Sequence, residues 1–276
     1  MERGVYTRLS RGHADLRHLR ALRRHREARA AAGVFVAEGM HLAEEALTQG
    51  APVLRAVVSP ALAHSAEGRA LLARLQEQGV PTAEVEDTVM DGLQDARTPQ
   101  PVLLLVRRPE TALAAAVPGL SGVALVAVAA GVQDPGNLGA ILRSADAAGA
   151  TGFVALGSGA DLYHPRAVRA SMGSIFRLPC AEAADAAALL AHLKKLGIAS
   201  LAAHPEAELL YDLCDLRAPL ALFFGAEGSG LPADLARQLD ASVKVPMRPG
   251  VESLSVGAAA AILLYEAARQ RRQGGA

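Results

Sequence analysis

The sequence predicts an α/β protein, a mostly parallel C-terminal sheet preceded by a smaller α/β unit. Three observations carry this. Short apolar runs alternate with helix-compatible stretches from residue 34 to the C-terminus. Beyond residue 122 those runs are longer and continuously apolar, as strands covered on both faces must be. A segment with Pro109, Pro118 and Gly119 separates the two series. The expected division is therefore 1–107, a linker at 108–121, and 122–276.

The first unit opens with a helix over 14–30, which places Leu16, Leu19 and Leu22 on one side and arginines on the other. A short strand follows at Val34–Ala37, then a helix over 38–49 and a strand at Val53–Val58. The helix over 62–78 is closed by Gly79. Residues 80–85 read as strand, 86–95 as helix, and Val102–Val106 as strand. In the linker, 111–117 allows a helical turn or two. The second unit shows strands at 123–129, 152–156, 176–178, 198–202, 220–224 and 243–245. Helices are expected over 138–148, 165–172, 184–196 and 232–239. A last helix over 256–270 turns Val256, Ala260, Leu263, Leu264 and Ala267 inward.

Composition narrows the function classes. At 276 residues and 51% hydrophobic content the chain can build a substantial core, yet no segment has the roughly 18 apolar residues of a membrane span. The Arg-rich N-terminus has no apolar run behind it, unlike a secretory signal. Cys180 and Cys214 are isolated, without paired spacing or a His cluster. No metal site or disulfide framework is expected, and a reducing cytoplasm suits them.

Net charge is zero, but residues 1–30 hold nine arginines (Arg3, Arg8, Arg11, Arg17, Arg20, Arg23, Arg24, Arg26, Arg29) against Glu2, Asp15 and Glu27, a net of six positive charges. Such a stretch is either a polyanion contact or a solvated helix face. With 3% aromatic residues and no Trp, RNA recognition would lean on Arg, backbone amides and shape rather than base stacking.

Three segments can carry chemistry. Residues 130–143, AGVQDPGNLGAILR, follow an apolar strand and open a helix, so Asn137 and Arg143 lie near the carboxyl end of a buried strand. Asn137 could instead cap the helix, and Arg143 could pair with Asp146. Residues 224–231, FGAEGSGL, form a glycine loop between strand and helix. They lack the Lys-Ser/Thr of a phosphate-binding loop, and their glycine spacing is not the dinucleotide fingerprint. Residues 245–256 join a strand end through Val245-Pro246-Met247 to Ser253-Leu254-Ser255-Val256, where either serine is an acceptable N-cap.

In this order and at these separations the three segments resemble the motifs of the SpoU/TrmH family of S-adenosylmethionine-dependent RNA 2′-O-ribose methyltransferases, over roughly residues 121–270. Residues 170–179, ASMGSIFRLP, are similar to the family's connecting segment. Residues 14–106 resemble the ribosomal-protein-like substrate-binding domain often found ahead of it, through Arg17–Arg29, Phe35–Gly39 and Thr98-Pro99-Gln100.

The resemblance implies a SPOUT-type parallel sheet whose C-terminal part threads into a trefoil knot, something the periodicity does not show. It implies S-adenosylmethionine held by Gly225, Val245 and Leu254, with Met247 and Ala203 beside it. It also implies a nucleotide site using Asn137, Arg143, Glu227 and Ser253, and a homodimer. In the family's scheme Arg143 takes the ribose proton. A guanidinium stays protonated in proteins, so phosphate binding and stabilisation of the developing alkoxide suit it better.

One position departs from the family pattern, Ser255 where Asn is usual. Three readings follow: an RNA 2′-O-methyltransferase acting on ribosomal or transfer RNA, an RNA- or S-adenosylmethionine-binding protein without transfer activity, and a nucleotide-dependent enzyme acting on small molecules.

Overall fold

The computed structural model describes residues 6–94, 99–109, 112–117 and 124–274. Glu2, Arg3, Thr98, Thr111, Val123 and the end of the expected helix at residue 95 lie outside the described residues. By Cα packing the chain divides into two units, 1–109 with 163–176, and 110–162 with 177–276.

The first unit contains β1 (Tyr6–Arg8), α1 (Ala14–Arg24), α2 (Arg26–Ala32), β2 (Val34–Glu38), α3 (Met40–Thr48), β3 (Val53–Val58), α4 (Ala66–Glu77), β4 (Thr82–Glu84), α5 (Asp87–Asp91) and β5 (Val102–Arg107). Its sheet runs β1-β4-β3-β5-β2; β1, β4 and β3 are parallel, and β5 is antiparallel to both β3 and β2. Leu16, Leu19 and Leu22 of α1 pack with Val36, Val57, Val85, Met90 and Leu103, which confirms the apolar side read from the sequence.

The predicted helix over 14–30 is two helices. His25 is extended (φ −115°, ψ 123°), and the Arg29 guanidinium donates back to the carbonyls of Leu22 (2.6 Å) and Arg23 (3.2 Å). Those are last-turn acceptors that an uninterrupted helix would have paired itself, and a cation suits that end of the dipole. Arg23 is also internal: its Nε donates to Glu38 Oε1 at 2.6 Å, with the two side chains 7% and 2% exposed. Two of the nine N-terminal arginines are therefore structural. Gly39 joins β2 to α3 at φ 100°, a conformation that favours glycine, so the helix predicted from 38 starts at Met40. The helix predicted over 62–78 begins as a 3-10 turn at Pro60–His64, and α4 starts after Ser65, whose Oγ accepts from Gly68 N at 2.9 Å.

Residues 163–176 pack within this first unit. They include α8 (Pro165–Ala170) and the first part of α9 (Ser174–Arg177). Phe35 of β2 lies 5.1 Å from the ring of Tyr163 and 6.0 Å from that of Phe176, and Arg169 reaches Glu38 at 3.5 Å. The strand expected at 176–178 is thus not formed: Phe176 and Arg177 end a helical turn, and the strand follows Pro179. A three-residue apolar run cannot distinguish the two by periodicity.

The second unit contains α6 (Leu113–Ala116), β6 (Leu125–Ala130), α7 (Pro135–Ala147), β7 (Gly152–Leu156), β8 (Cys180–Ala183), α10 (Ala186–Lys195), β9 (Ala199–Ala203), β10 (Leu209–Leu210), β11 (Leu220–Phe224), α11 (Ala233–Ala236), β12 (Ala241–Lys244) and α12 (Val256–Gly274). Its sheet is parallel throughout, in the order β10-β12-β9-β11-β6-β7-β8. Successive residues of β6 and β11 face opposite sides. Val126, Val128, Ala221 and Phe223 join Leu189 and Leu193 of α10 and Leu235 of α11 in one core layer. On the other side α12 lies on α7 and both contact the sheet. The two-residue β10 and the three-residue β1 were not legible in the sequence. Among the described residues no helix is long and apolar enough to cross a membrane, and no group of three His, Cys, Asp or Glu residues could hold a metal ion.

Candidate active site

The site follows from strand order. From β6 the chain builds outward to β7 and β8, then returns on the opposite side with β9, and β11 fills the position between β9 and β6. All strands being parallel, the loops after β6, β9, β11 and β12 leave the same edge of the sheet. Open α/β sheets bind ligands at the carboxyl ends of their strands, where the order reverses.

The loop after β6 is held by Gln133, whose Nε2 donates to Gly131 O (2.8 Å) and Ser158 O (3.0 Å). Asp134, not Asn137, caps α7: its Oδ1 accepts from Asn137 N at 2.9 Å, and Pro135 supplies the first turn. α7 therefore begins three residues before the predicted start, which leaves the Asn137 side chain free for another partner. That partner is Glu227.

Glu227 projects from the loop after β11. This loop closes on itself through Ala226 N to Gly230 O (3.0 Å) and Gly230 N to Ala226 O (2.9 Å). An added Cβ on Gly225 would overlap the backbone of Gly230 and Leu231, so closure requires glycine there. Glu227 Oε1 accepts from Asn137 Nδ2 at 2.8 Å and Oε2 from Gln133 N at 3.1 Å. Partial burial pushes its carboxyl up. The Asn137 side chain and the backbone N–H groups of Glu227, Gln133 and Asp134 outweigh that and hold it below the ordinary range. At neutral pH it is a carboxylate fixed by donors.

Arg143 is exposed, and among the described residues it has no hydrogen bond or ion pair. The expected alternative partner, Asp146, is instead taken by Arg177, whose Nε donates at 2.8 Å. Six residues along α7 put Arg143 about 9 Å in rise from Asn137 and about 120° around the helix. It does not join the Asn137–Glu227 pair within this chain.

Ser253 and Leu254 lie exposed in the loop from β12 to α12. Ser255 is the N-cap, its Oγ accepting from Ala258 N at 3.3 Å. Next to it, an added Cβ on Gly257 would stand 3.4 Å from Ala140 Cβ and 3.9 Å from Asn137 Oδ1, so the start of α12 abuts the Asn137 side of α7.

Ala203 and Val245 end or follow the neighbouring strands β9 and β12, with Met247 two residues on; all three are half-buried. Together with Gly225 and Leu254, which is 38% exposed, they offer backbone groups and apolar side chains and no cation. That donor set fits an adenosine-and-sulfonium cofactor and not a phosphate-rich one. Gln133 and Asp134 are the residues that sequence reasoning passed over. The Asp-Pro pair ahead of a helix was the available signal for the cap.

The SpoU rRNA methylase family profile matches residues 124–265, and the MRM3-like substrate binding domain profile matches 14–104. The chain is 31% identical over 232 residues to the 23S rRNA (guanosine(2553)-2′-O)-methyltransferase RlmP of Bacillus subtilis, covering 84% of this chain and 87% of that one. It is 38% identical over 162 residues to the 23S rRNA (guanosine-2′-O-)-methyltransferase RlmB of Xanthomonas campestris. That match covers 59% of this chain and 65% of the relative, less than two thirds of its length. Among solved structures, the SpoU methyltransferase AviRb from Streptomyces viridochromogenes in complex with AdoMet superposes with a TM-score of 0.85 at 28% identity, over 95% of this chain and 100% of that one. With its sheet, its glycine loop and its Asn–Glu pair in the matched region, the chain belongs to the SpoU rRNA methylase family.

Proposed function

We propose that the protein transfers the methyl group of S-adenosylmethionine to a ribose 2′-hydroxyl of ribosomal RNA in the cytoplasm, as a homodimer. The observation that carries this reading is the Asn137–Glu227 pair, set by a self-closed glycine loop where the strand order reverses. The relatives' substrates point to ribosomal RNA. The insertion of β11 between β9 and β6, with β12 then added outside β9, supports the expected trefoil knot.

Gly225, Val245, Met247, Leu254 and Ala203 hold the cofactor, largely through backbone groups. When bound, the sulfonium would supply an electrophilic methyl carbon, its S–C bond breaking to leave a thioether. The 2′-oxygen would form the new O–C bond and release its proton to solvent water. Asn137, oriented by ionised Glu227, and Ser253 position the ribose. Arg143, always charged, binds the flanking phosphate and steadies the 2′-oxygen as charge develops. Because Arg143 stands apart from Asn137 on the exposed side of α7, a second subunit placed against α7 and α12 would complete the site.

The test is single-turnover transfer of labelled methyl from S-adenosylmethionine, with 2′-O-methylation mapped in ribosomal and transfer RNA of a deletion strain. Loss of one ribosomal 2′-O-methyl group in the strain and its restoration by the purified protein are expected. Binding of both ligands without transfer, or a missing mark in transfer RNA only, would overturn the reading. Light scattering showing a monomer near 28 kDa at micromolar concentration would remove the dimer.

A further inference from the structure

We propose that Arg177 is a positioning residue that keeps the Arg143 guanidinium available to substrate, an inference that rests on the RNA-directed methyl transfer above. α7 carries Arg143 and Asp146 at neighbouring positions of its surface, an i,i+3 pair whose Cβ atoms stand about 5–6 Å apart. Asp146 sits in the last turn, where a carboxylate opposes the helix dipole and calls for a cation. Arg143 is the cation that the helix itself offers. The fold supplies Arg177 instead: its Nε and Nη2 both lie 2.8 Å from Asp146 Oδ2. Strand order brings the two together. β8 pairs in parallel with β7, Cys180 opposite Phe153, so the residues leading into β8 lie at the edge of the sheet to which the end of α7 returns. The Cys180 thiol does not compete for the carboxylate, because it donates to Leu178 O at 3.0 Å.

The Arg177 and Asp146 side chains are 33% and 21% exposed, so their charges cancel in a largely covered pair. Arg143 is exposed and, among the described residues, has no hydrogen bond or ion pair. One guanidinium is thus committed to the helix end and the other keeps its full charge. Without Arg177, Asp146 would stand unpaired one turn from Arg143 and draw its guanidinium into an Arg–Asp pair along α7. The same carboxylate would oppose a substrate phosphate approaching Arg143. Exposed pairs of this kind are weak, so the guanidinium would be shared rather than lost, and transfer would slow by about threefold to tenfold. Arg177 needs no contact with RNA to exert this effect.

The experiment compares Arg177→Gln with the double variant Arg177→Gln, Asp146→Asn in the full chain, by single-turnover methyl transfer to ribosomal RNA per folded molecule. Arg177→Gln should slow transfer by about threefold to tenfold at unchanged S-adenosylmethionine affinity. Adding Asp146→Asn should bring the rate back to within about twofold of wild type, because the competing charge is gone. A merely structural Arg177 would not be rescued by removing its own partner. Arg177→Lys keeps the cation without the planar fork and should retain most of the rate. In an Arg143→Ala background Arg177→Gln should slow transfer no further, since Arg177 acts through Arg143. The Arg143 Nε–H proton, identified in nitrogen-15 NMR by its absence in Arg143→Lys, gives a reading independent of turnover. Its solvent exchange should slow in Arg177→Gln and return to the wild-type rate in the double variant. A wild-type transfer rate in Arg177→Gln, or a double variant as slow as the single one, would overturn the inference. If the wild type transfers no methyl group to RNA, the proposed function itself fails, and exchange of the Arg143 proton still decides whether Arg177 keeps that guanidinium unpaired.

Discussion

Replacing Arg143 by Ala separates a reacting role from a structural one, because nothing in the fold depends on this side chain. It is exposed, and among the described residues it has no partner; the carboxylate nearest in sequence, Asp146, is bound by Arg177. Surface changes of that kind shift stability by no more than about 0.5 kcal/mol. Removing one preorganised group that stabilises transition-state charge costs about 10² to 10³ in rate, or roughly 3–4 kcal/mol of barrier. The same substitution should therefore leave unfolding almost unmoved and lower methyl transfer by at least two orders of magnitude. The assay is single-turnover transfer to ribosomal RNA, with calorimetric S-adenosylmethionine binding on the same protein. Cofactor affinity should hold within about twofold, since the proposed cofactor residues lie at the end of β9 and on the loops after β11 and β12. Arg143→Lys keeps the charge but loses the planar fork, and should recover only part of the rate. A near-wild-type transfer rate for Arg143→Ala would refute the assignment and leave Arg143 a surface residue.

Further outcomes follow from the packing. Gly225→Ala should cost about 1–3 kcal/mol in urea unfolding and at least tenfold in S-adenosylmethionine affinity, because the added methyl overlaps the Gly230–Leu231 backbone; unchanged affinity would remove the loop from the cofactor site. Glu38→Ala strands buried Arg23 and should destabilise by about 3–5 kcal/mol, whereas Arg169→Ala, at a half-exposed ion pair, should cost at most about 1 kcal/mol; equal effects in denaturant melts would contradict this ranking. Asn137→Ala removes a donor from Glu227, so the carboxyl should titrate at higher pH, read by carbon-13 NMR. The native carboxyl is held below its unfolded value, so its contribution to stability is complete above that value and is lost as pH falls through the native one. In Asn137→Ala that loss should still begin at the unfolded value but be smaller and end at a higher pH, and an unmoved titration would show that the hydrogen bond is immaterial.

The parallel sheet was legible because its strands are buried on both faces and read as uninterrupted apolar runs; Gly152–Leu156 and Leu220–Phe224 match residue for residue. Features set by single side chains reaching across the sequence were not. Nothing in residues 14–30 says that Arg29 will fold back on the carbonyls of Leu22 and Arg23, and a local pattern reads the two helices as one. The grouping of 163–176 with the first unit was hidden for the same reason: it rests on Phe35, Glu38 and His41 meeting Tyr163, Phe176, Arg169 and the Met172 carbonyl. It also means that deleting residues 1–106 would strip cover from Tyr163 and Phe176, so such a truncation cannot isolate RNA binding cleanly. At the site, Asn137 and Glu227 were readable as members of motifs, but their direct pairing needed the strand order, which places β11 beside β6.

At position 255, where the family pattern has Asn, the serine has a local structural role. Its Oγ takes the Ala258 N–H and its carbonyl the Ala259 N–H, so it performs the opening of α12 itself. Ser and Asn are nearly equal in that role, and exchanging them changes helix stability little, whereas Ala costs about 1 kcal/mol. What the cap fixes is the placement of Gly257, which abuts Ala140 and the Asn137 side chain on α7. Ser255→Asn should accordingly leave folding and the Asn137–Glu227 geometry intact. If the longer amide also reaches substrate, that variant alone should raise single-turnover methyl transfer, and Ser255→Ala should lower stability while leaving the rate per folded molecule near wild type. A Ser255→Ala protein with wild-type stability and a collapsed rate would instead make the hydroxyl a substrate contact. The two variants together therefore separate the cap from the chemistry.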